Sequence, residues 1–459
     1  MSVKIARNVL SYSAALALTA FGLASAQAAD LAGNCCADLE ARIAELEATT
    51  ARKGNRKVSL EVYGLVNEAI MFWDDGGEDN LAVVTNDNGR SRFGFRGKAK
   101  IDSEWEAGYR LEIGVRSVNS KRFTQDDDNA AASSGLDMRD SHWYLKNKTL
   151  GAVYMGLGTS STNGITESNL TQTGLISKYS DVEDSGLGLR LRSSVNGGLS
   201  ALSWFRLLGD GGDQPGEGER ALNLVRYESP SIGGFIAGAS WGEDDIWDVS
   251  LRYAGEGASF NYTAGIGYGV ALDGLNTATV CATAAGVGGS DTRCENLGGS
   301  ISVHHEPTGL FVNAGTGIKS DELLNGTAGF IGTGADDEQT FWAIQAGVEK
   351  KFNAFGKTAI YGEYFDYQGG ANGRRTIGAS DALNPLGATA AIWSSGVEMF
   401  GAGIIQGFDN AALQIYLSYR HYEADLALRA LAGGVASGAI ADAALEDLDI
   451  VMTGAVIKF

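Results

Sequence analysis

Arginine recurs at every second residue in several stretches of the sequence, and the chemistry that this spacing allows is electrostatic. The stretch NGRSRFGFRGKAK places Arg90, Arg92 and Arg96 on one face of an extended chain and Phe93 and Phe95 on the other. The same alternation returns later in the chain at Arg110, Arg116, Arg190 and Arg192. Fixed rows of guanidinium groups attract anions and orient polar solutes. For each single arginine, the alternative interpretation is a structural ion pair with a nearby carboxylate.

Residue types that carry most enzyme chemistry are scarce. The chain has 4 histidines, and His304 and His305 are adjacent, without the i, i+4 spacing of helical zinc sites. G-x-S-x-G and C-x-x-C motifs do not occur in the sequence. His142 in RDSHWYL is the strongest catalytic candidate, and a polar side chain facing water is the favoured interpretation. We therefore expect no enzyme, no metal site and no cofactor.

The 4 cysteines fit an oxidising compartment without requiring one. Cys281 and Cys294 flank a Gly/Ala-rich segment between two strand-like stretches, so a loop disulfide and two free thiols are both open. Cys35 and Cys36 are adjacent, and Asn34 stands where a lipoprotein cleavage box needs a small residue.

The N-terminus has the features of a secretory signal peptide. Lys4 and Arg7 precede an apolar run over residues 9–24, and Ala26-Gln27-Ala28 supplies a small-x-small cleavage pattern. We predict residues 1–28 as the signal peptide. The alternative is a membrane anchor, but the run is shorter than the ~20 apolar residues that a spanning helix needs.

Residues 29–57 are predicted as a periplasmic segment with a short coiled-coil-like helix. Leu39, Ile43 and Leu46 in DLEARIAELEATT have heptad spacing for barely two heptads, which is marginal alone. A solvated helix or linker and an oligomerisation stub both remain open.

From residue 58 onward, apolar and polar residues alternate with a period of two, which is typical of strands. The sequence after residue 29 has no apolar stretch long enough for a spanning helix, so a membrane location requires a closed barrel. With 64 glycines and 4 prolines, the composition suits a large antiparallel sheet. Periodicity alone does not separate a membrane barrel from a soluble sandwich.

Connection lengths favour the barrel. Short turns near residues 102, 148, 197, 256, 307, 354 and 408 alternate with long polar loops, and short periplasmic turns with long extracellular loops are typical of outer-membrane barrels. The predicted loops lie around 73–87, 118–138, 159–185, 209–219, 270–297, 319–339, 368–393 and 424–446. We predict an all-β, transmembrane antiparallel β-barrel over residues 58–459 with about 18 strands, or 16 if one hairpin is misassigned. One predicted strand carries Leu187, Leu189 and Leu191 opposite Arg190 and Arg192.

Four segments resemble a known family. SRFGFRGKA (91–99) is similar to the second-strand signature of general Gram-negative porins, and VRYESPSIGGF (225–235) to a turn motif between two of their middle strands. The final strand ends on Phe459, which is similar to the signal read by the barrel-insertion machinery. The start of the mature chain, CCADLEARIAELEATTARKGNRKVSLEVYG, resembles that of alphaproteobacterial porins. The resemblance covers nearly the whole mature chain.

This resemblance implies a homotrimer of barrels in the Gram-negative outer membrane, each narrowed by an inward-folded third loop. The matching loop is 159–185, whose acidic residues Glu167, Asp181, Glu183 and Asp184 would face wall arginines, Arg92 and Arg139 by motif position. The loop motif PEFGGD is absent, and Leu65 replaces a first-strand lysine of the enterobacterial branch.

The function that the resemblance implies is a water-filled diffusion channel for ions and small hydrophilic solutes, with a substrate-selective channel as the alternative. The expected partners are outer-membrane lipid, lipopolysaccharide and the insertion machinery that reads Phe459. A net charge of -20 excludes nucleic acid as a partner, since phosphate binding needs clustered cations. A third hypothesis assigns residues 30–57 to tethering or trimerising the barrel.

Overall fold

The computed structural model describes residues 57–116, 118–126, 135–208, 213–218, 220–242, 246–273, 291–321, 336–370, 372–433 and 435–459. The predicted signal peptide, nearly all of the segment 29–57 and Cys281 lie outside the described residues. Among the described residues, no helix has the length and apolar character needed to cross a membrane.

Strands make up nearly all of the regular structure. They are β1 (Glu61–Asp74), β2 (Asp79–Thr85), β3 (Arg92–Lys100), β4 (Trp105–Arg116), β5 (Gly135–Asn147), β6 (Gly151–Thr159), β7 (Arg190–Arg192), β8 (Leu199–Ser203), β9 (Arg220–Glu228), β10 (Phe235–Gly242), β11 (Ile246–Gly257), β12 (Phe260–Asp273), β13 (Asp291–His305), β14 (Leu310–Asp321), β15 (Glu338–Lys350), β16 (Thr358–Gly369), β17 (Asn372–Ile377), β18 (Ala390–Phe408), β19 (Leu413–Ala432), β20 (Val435–Asp442) and β21 (Leu448–Lys458).

Sixteen of these strands form a closed antiparallel barrel. The closing pair is β1 and β21, in register from Leu65 opposite Lys458 to Asp74 opposite Asp449. The terminal residue extends this pairing, because the backbone N–H of Phe459 donates to Gly64 O over 3.0 Å and that of Gly64 to Phe459 O over 2.9 Å. The remaining strands β2, β7, β8, β17 and β20 belong to the connections.

The alternation predicted from the sequence sets which face of each strand is outward. Along β11, Asp248 and Ser250 are buried inside the barrel, whereas Trp247, Val249 and Leu251 are exposed on the outside. A continuous outer band of such apolar side chains is what a bilayer requires of a barrel. The alternation therefore orients the sheet in the membrane.

The two ends of the barrel differ as the sequence predicts. Turns of a few residues join β3 to β4, β5 to β6 and β13 to β14, and the last of these places Gly309 at a φ of +76°. A Cβ at Gly309 would lie 2.6 Å from the Glu349 carbonyl oxygen, so the turn needs glycine. Long connections, some carrying extra strands, lie at the other end.

The expected count of about 18 strands is wrong, and the smaller predicted count of 16 is confirmed. The residues expected to form two further wall strands instead form the β7–β8 hairpin within a single connection from β6 to β9. The expected short turn near 197 is the tip of this hairpin, where Gly197 has a φ of +68°. Leu187, Leu189 and Leu191 are fully buried rather than lipid-facing.

Candidate functional site: a charged cavity inside the barrel

The connection from β6 to β9 lies against the inner wall, and we call its described residues 160–208 and 213–218 the inner segment. Its first turn is fixed by Asp248 of β11, which accepts a bond of 2.8 Å from the Thr162 backbone N–H. Further along, Ser168 N–H donates to Ser300 Oγ over 2.9 Å. The Thr173 hydroxyl then donates to Gln345 Oε1 over 2.7 Å. The segment therefore follows the wall from β11 to β15.

A buried ion pair holds the next part of the inner segment. Arg420 of β19 pairs with Glu363 of β16 at 2.8 Å, and both side chains are almost completely buried. The guanidinium also donates to Ser177 Oγ at 2.9 Å and to Ser185 Oγ at 3.0 Å. The planar guanidinium of Arg420 thus bonds to two residues of the inner segment, Ser177 and Ser185, that are eight positions apart.

Apolar packing completes the attachment. Leu187, Leu189, Leu191, Leu202, Trp204 and Leu207 of the inner segment belong to one buried cluster with inward side chains of the wall. The wall side of this cluster includes Met71, Tyr422 and Ile450. The Tyr422 hydroxyl also donates to Val182 O over 2.9 Å. One part of the barrel interior is therefore a packed core, not a wet lumen.

Beside this core lies a cavity of about 580 Å³. Its lining combines cationic side chains (Arg90, Arg92, Lys121, Arg122, Arg139, Lys178, Arg206 and Lys319) with acidic ones (Asp87, Glu167, Asp181, Glu183, Asp184, Asp213 and Glu217). Charges of both signs therefore face one polar space.

The wall side of the cavity is built around one carboxylate. Glu112 of β4 is completely buried and accepts from Arg139 at 2.9 Å. Arg92 lies 3.7 Å from the same carboxylate, and Arg110 donates to its other oxygen at 2.5 Å. Arg90 pairs with Asp137 at 3.4 Å. Arg110 also lies 3.4 Å from Asp140, so the arginines of this wall are held in a network of ion pairs.

The inner segment supplies the acidic side together with cations of its own. Lys178 lies 2.9 Å from Glu167 and 2.5 Å from Asp181. Lys121, from the connection after β4, lies 3.2 Å from Glu183 and 3.6 Å from Asp184. Lys121 also pairs with Asp213. Each lysine thus joins two or more carboxylates, which fixes the acidic cluster in place.

Burial changes the protonation of these carboxylates. It raises the pKa of Asp184 to about 7, although the Lys121 ammonium acts in the opposite direction. Burial, with the nearby Asp181 charge, also raises the pKa of Glu217 to about 7. Burial likewise raises the pKa of Glu167 well above its ordinary value. The charge on this side of the cavity therefore depends on pH near neutrality.

The acidic cluster contains a possible arrangement for a cation. One ligand oxygen each from Asp181, Glu183 and Asp184 lies within 4.8 Å of the others. Oxygen ligands of this type suit hard divalent ions. The ammonium groups of Lys178 and Lys121 already compensate these carboxylates, so the arrangement is complete as a set of ion pairs.

The structure brings together Arg90, Arg92, Arg139, Glu167, Asp181, Glu183 and Asp184 around the cavity. Arg110 lies behind it on Glu112, and Arg96 pairs with Glu61 further along the wall. Arg190 and Arg192 are not wall residues; they lie in the β7–β8 hairpin, where Arg192 binds Asp75 at 2.8 Å. The side chain of Arg116 lies outside the described ones. Cys294 is disulfide-bonded, and its expected partner Cys281 lies outside the described residues.

The sequence-based prediction did not include several cavity residues. Lys121, Lys178, Asp213 and Glu217 line the cavity from connections without a repeating pattern. The predicted site residues also omit Glu112, which holds the wall arginines. Glu112 offered one signal, since it is a carboxylate on the same strand face as Arg110. Lys121 offered none, because Glu183, Asp184 and Asp213 are distant from it in the sequence. Lys178 is three residues from Asp181, but it lies in a connection where alternation predicts no side-chain direction.

A closed sixteen-stranded barrel with an apolar exterior and a charged interior defines an outer-membrane channel protein. A family model for Gram-negative porins matches residues 13–442, and the chain belongs to that family. Gram-negative porins are diffusion channels of the outer membrane and not enzymes, so this chain is an outer-membrane diffusion channel.

One solved structure supports the fold, and two others are similar to the chain. The chain is 17% identical to an anion-selective porin from Comamonas acidovorans, with a TM-score of 0.52 over 88% of this chain and 100% of that one. OmpT of Vibrio cholerae in a trimer form is 11% identical, with a TM-score of 0.48 over 88% and 99% of the two chains. OmpF of Salmonella typhi, in complex with daunomycin, is 13% identical, with a TM-score of 0.48 over 88% and 98%. No curated protein sequence matches this chain.

Proposed function

We propose that the inner segment sets the constriction of this diffusion channel and that its carboxylates and the wall arginines act together on passing ions and hydrophilic solutes. The observation that carries this proposal is one polar cavity whose lining includes Arg90, Arg92 and Arg139 of the wall and Glu167, Asp181 and Asp184 of the inner segment. Opposite charges across a narrow wet space orient polar solutes and disfavour apolar ones.

The test is conductance in a planar lipid bilayer with potassium chloride under a salt gradient. Wild-type protein should give stable open steps that grow nearly linearly with salt. Arg92→Glu should move the reversal potential toward cation preference, and Asp181→Asn should move it toward anion preference. Arg96→Glu, away from the cavity, is the matched control and should have a smaller effect. Shifts of equal size from Arg92→Glu and Arg96→Glu would contradict a constriction at the cavity.

The assembly and the targeting of the chain are proposed from its resemblance to the porin family. The start of the mature chain, CCADLEARIAELEATTARKGNRKVSLEVYG, supports membership of the alphaproteobacterial branch of the family. A homotrimer contacting lipid and lipopolysaccharide is the assembly that the family resemblance implies. Phe459, paired through its backbone with Gly64, is proposed as the residue that the barrel-insertion machinery recognises. Residues 1–28 are proposed as the signal peptide that directs the chain to the periplasm.

A further inference from the structure

Aromatic side chains lie on the inner wall between the charged cavity and the short-turn end of the barrel. Tyr63 of β1, Tyr144 of β5 and Tyr154 of β6 alternate with outward residues on their strands and are all partly exposed. The Tyr144 and Tyr154 ring centroids are 5.7 Å apart. His142 continues the row, with its ring 5.9 Å from that of Tyr154. These rings face the channel interior. The apolar band that contacts lipid lies on the outer face, so it does not explain aromatic residues on the inner face.

Two glycines hold the tyrosine rings close to the wall. A Cβ at Gly94 would lie 2.7 Å from Tyr63 Cζ, and a Cβ at Gly108 would overlap the Tyr144 ring. The rings therefore lie across these glycines instead of projecting over neighbouring side chains. Glycine beneath a ring lets the aromatic face lie along the sheet, so that its other side is turned toward the solute path.

Guanidinium groups accompany the rings. Arg96 and Arg110 lie over the Tyr63 ring, with Cζ at 5.0 and 5.6 Å from its centroid, and Arg226 lies 4.5 Å from the centroid of Tyr154. Stacked rings and guanidinium planes form a surface of flat groups. Glu112 links the row to the cavity wall, because it accepts from the Tyr63 hydroxyl at 3.1 Å and from the cavity residue Arg139 at 2.9 Å.

The charges along this row are compensated. Arg96 pairs with Glu61 at 2.5 Å, Arg110 with Asp140 at 3.4 Å and Arg226 with Glu228 at 3.5 Å. The hydroxyl groups of Tyr144 and Tyr154 donate to Glu106 and Glu228 at 3.4 and 3.0 Å. A net charged solute gains little from a set of groups that are already paired, whereas alternating donors and acceptors suit a solute that both donates and accepts.

We propose that Tyr63, Tyr144 and Tyr154, with Arg110 and Arg226, form a binding track for saccharides in the channel. A sugar ring has apolar C–H faces that pack on aromatic rings and a rim of hydroxyl groups that bond to carboxylates and guanidinium groups. The surface offers both features in one row, and its uncharged balance favours a neutral ligand over an ion. This proposal rests on the channel function and adds a solute class to it.

The experiment is a titration of maltotriose against the ion current of the full-length channel in potassium chloride. Wild-type protein should show a saturable decrease in current. Tyr154→Ala and Tyr144→Ala should each raise the half-saturating concentration roughly two- to twelve-fold, the range that loss of an aromatic contact implies. Tyr154→Phe keeps the ring and should stay near the wild-type value. Tyr253→Ala, on the outer face against Phe235, is the matched control and should change nothing.

Three outcomes overturn the track while leaving the channel intact. The first is a current that falls in proportion to sugar without saturating, at the same rate in every variant. The second is saturable block by benzoate but not by maltotriose, which would assign an anionic ligand. The third is a half-saturating concentration that rises steeply with salt, since a neutral sugar is not screened. Absence of any open step in sugar-free salt would instead contradict the channel function itself.

Discussion

At the scale of single residues, the charge of the cavity is set by burial as much as by residue type. Asp184 and Glu217 have pKa values raised to about 7, whereas an exposed carboxylate is ionised throughout the neutral range. Their neighbours Lys121 and Lys178 have pKa values raised well above the ordinary lysine value, because several carboxylates surround each ammonium group. The cations of the inner segment thus stay charged while two of its anions titrate.

This difference predicts a pH-dependent ion preference. A raised pKa means that Asp184 and Glu217 take up protons as the pH falls through about 7, so the cavity loses negative charge and anion permeability should rise. The measurement is the reversal potential under a salt gradient at pH 8.5, 7 and 5.5. At pH 8.5, the reversal potential of Asp184→Asn should already be shifted part of the way toward the wild-type value at pH 5.5. A reversal potential independent of pH in this range would contradict the prediction.

The arginine rows show which residues of the cavity can be predicted from residue type and spacing. Arg90, Arg92 and Arg139 could be assigned to the interior because strand alternation and motif position both pointed inward, and the structure places them on the cavity. Lys121 could not be assigned, since its partners Asp213 and Glu183 become neighbours only after the connections fold. Alternation predicts the face of a strand, but it predicts nothing about side chains in a connection.

At the scale of elements, the inner segment is a fixed part of the barrel. Its hydrogen bonds reach β11, β13, β15, β16 and β19, and its leucines share a core with the wall. Period-two alternation alone predicted two membrane strands here, because Leu187, Leu189 and Leu191 oppose two arginines. An apolar face requires burial, and the sequence does not distinguish burial against lipid from burial against the inside of a barrel.

Breaking the ion pair that anchors this element should be costly. Arg420→Met leaves Glu363 buried without its cation, at a cost of about 3–5 kcal/mol, and removes the bonds to Ser177 and Ser185. We expect a lower unfolding temperature in heat-modifiability gels and greater open-channel current fluctuation. The double variant Arg420→Met with Glu363→Met removes both charges and should recover most of the heat resistance. Equal loss in the single and double variants would argue against the ion pair as the cause.

The apolar attachment of the same element makes a separate prediction. Leu189→Ala removes a fully buried side chain and should destabilise the folded barrel by about 2–5 kcal/mol. Val195 lies near the tip of the hairpin and is 81% exposed. Val195→Ala is therefore the control and should leave stability unchanged. Denaturant titration of both variants in detergent measures the difference. An unaffected Leu189→Ala midpoint would mean that the hairpin contributes little to stability.

At the scale of the whole molecule, the barrel closes without the N-terminal region. The closing pair of β1 and β21 begins at Leu65 and is continued by the Gly64–Phe459 backbone bonds. The closed architecture and the contrast between the two barrel ends followed from alternation and connection lengths. The exact strand number did not, because a hairpin inside a barrel has the same local pattern as a hairpin in its wall.

Deletion of residues 30–57 is therefore expected to leave the unit conductance unchanged, since every strand of the part of the chain that the structure describes lies after residue 57. Single-channel recording of the deletion variant, with the signal peptide retained, checks this result. Chemical cross-linking of the same sample measures the oligomeric state. The tethering hypothesis requires that the trimer is lost or altered in the deletion variant. A changed conductance would show that this region contributes to the pore.

The long sequence separations of the inner contacts also impose an order on biogenesis. Tyr422 bonds to Val182 across 240 residues, and Arg420 bonds to Ser185 across 235. The leucines of the inner segment are therefore translated and exported well before β19 and β21, the strands that cover them. During transit through the periplasm this apolar surface has no native partner and is prone to aggregate. The inner segment thus adds apolar surface that lacks its native cover until the last strands arrive, beyond the apolar band that faces outward.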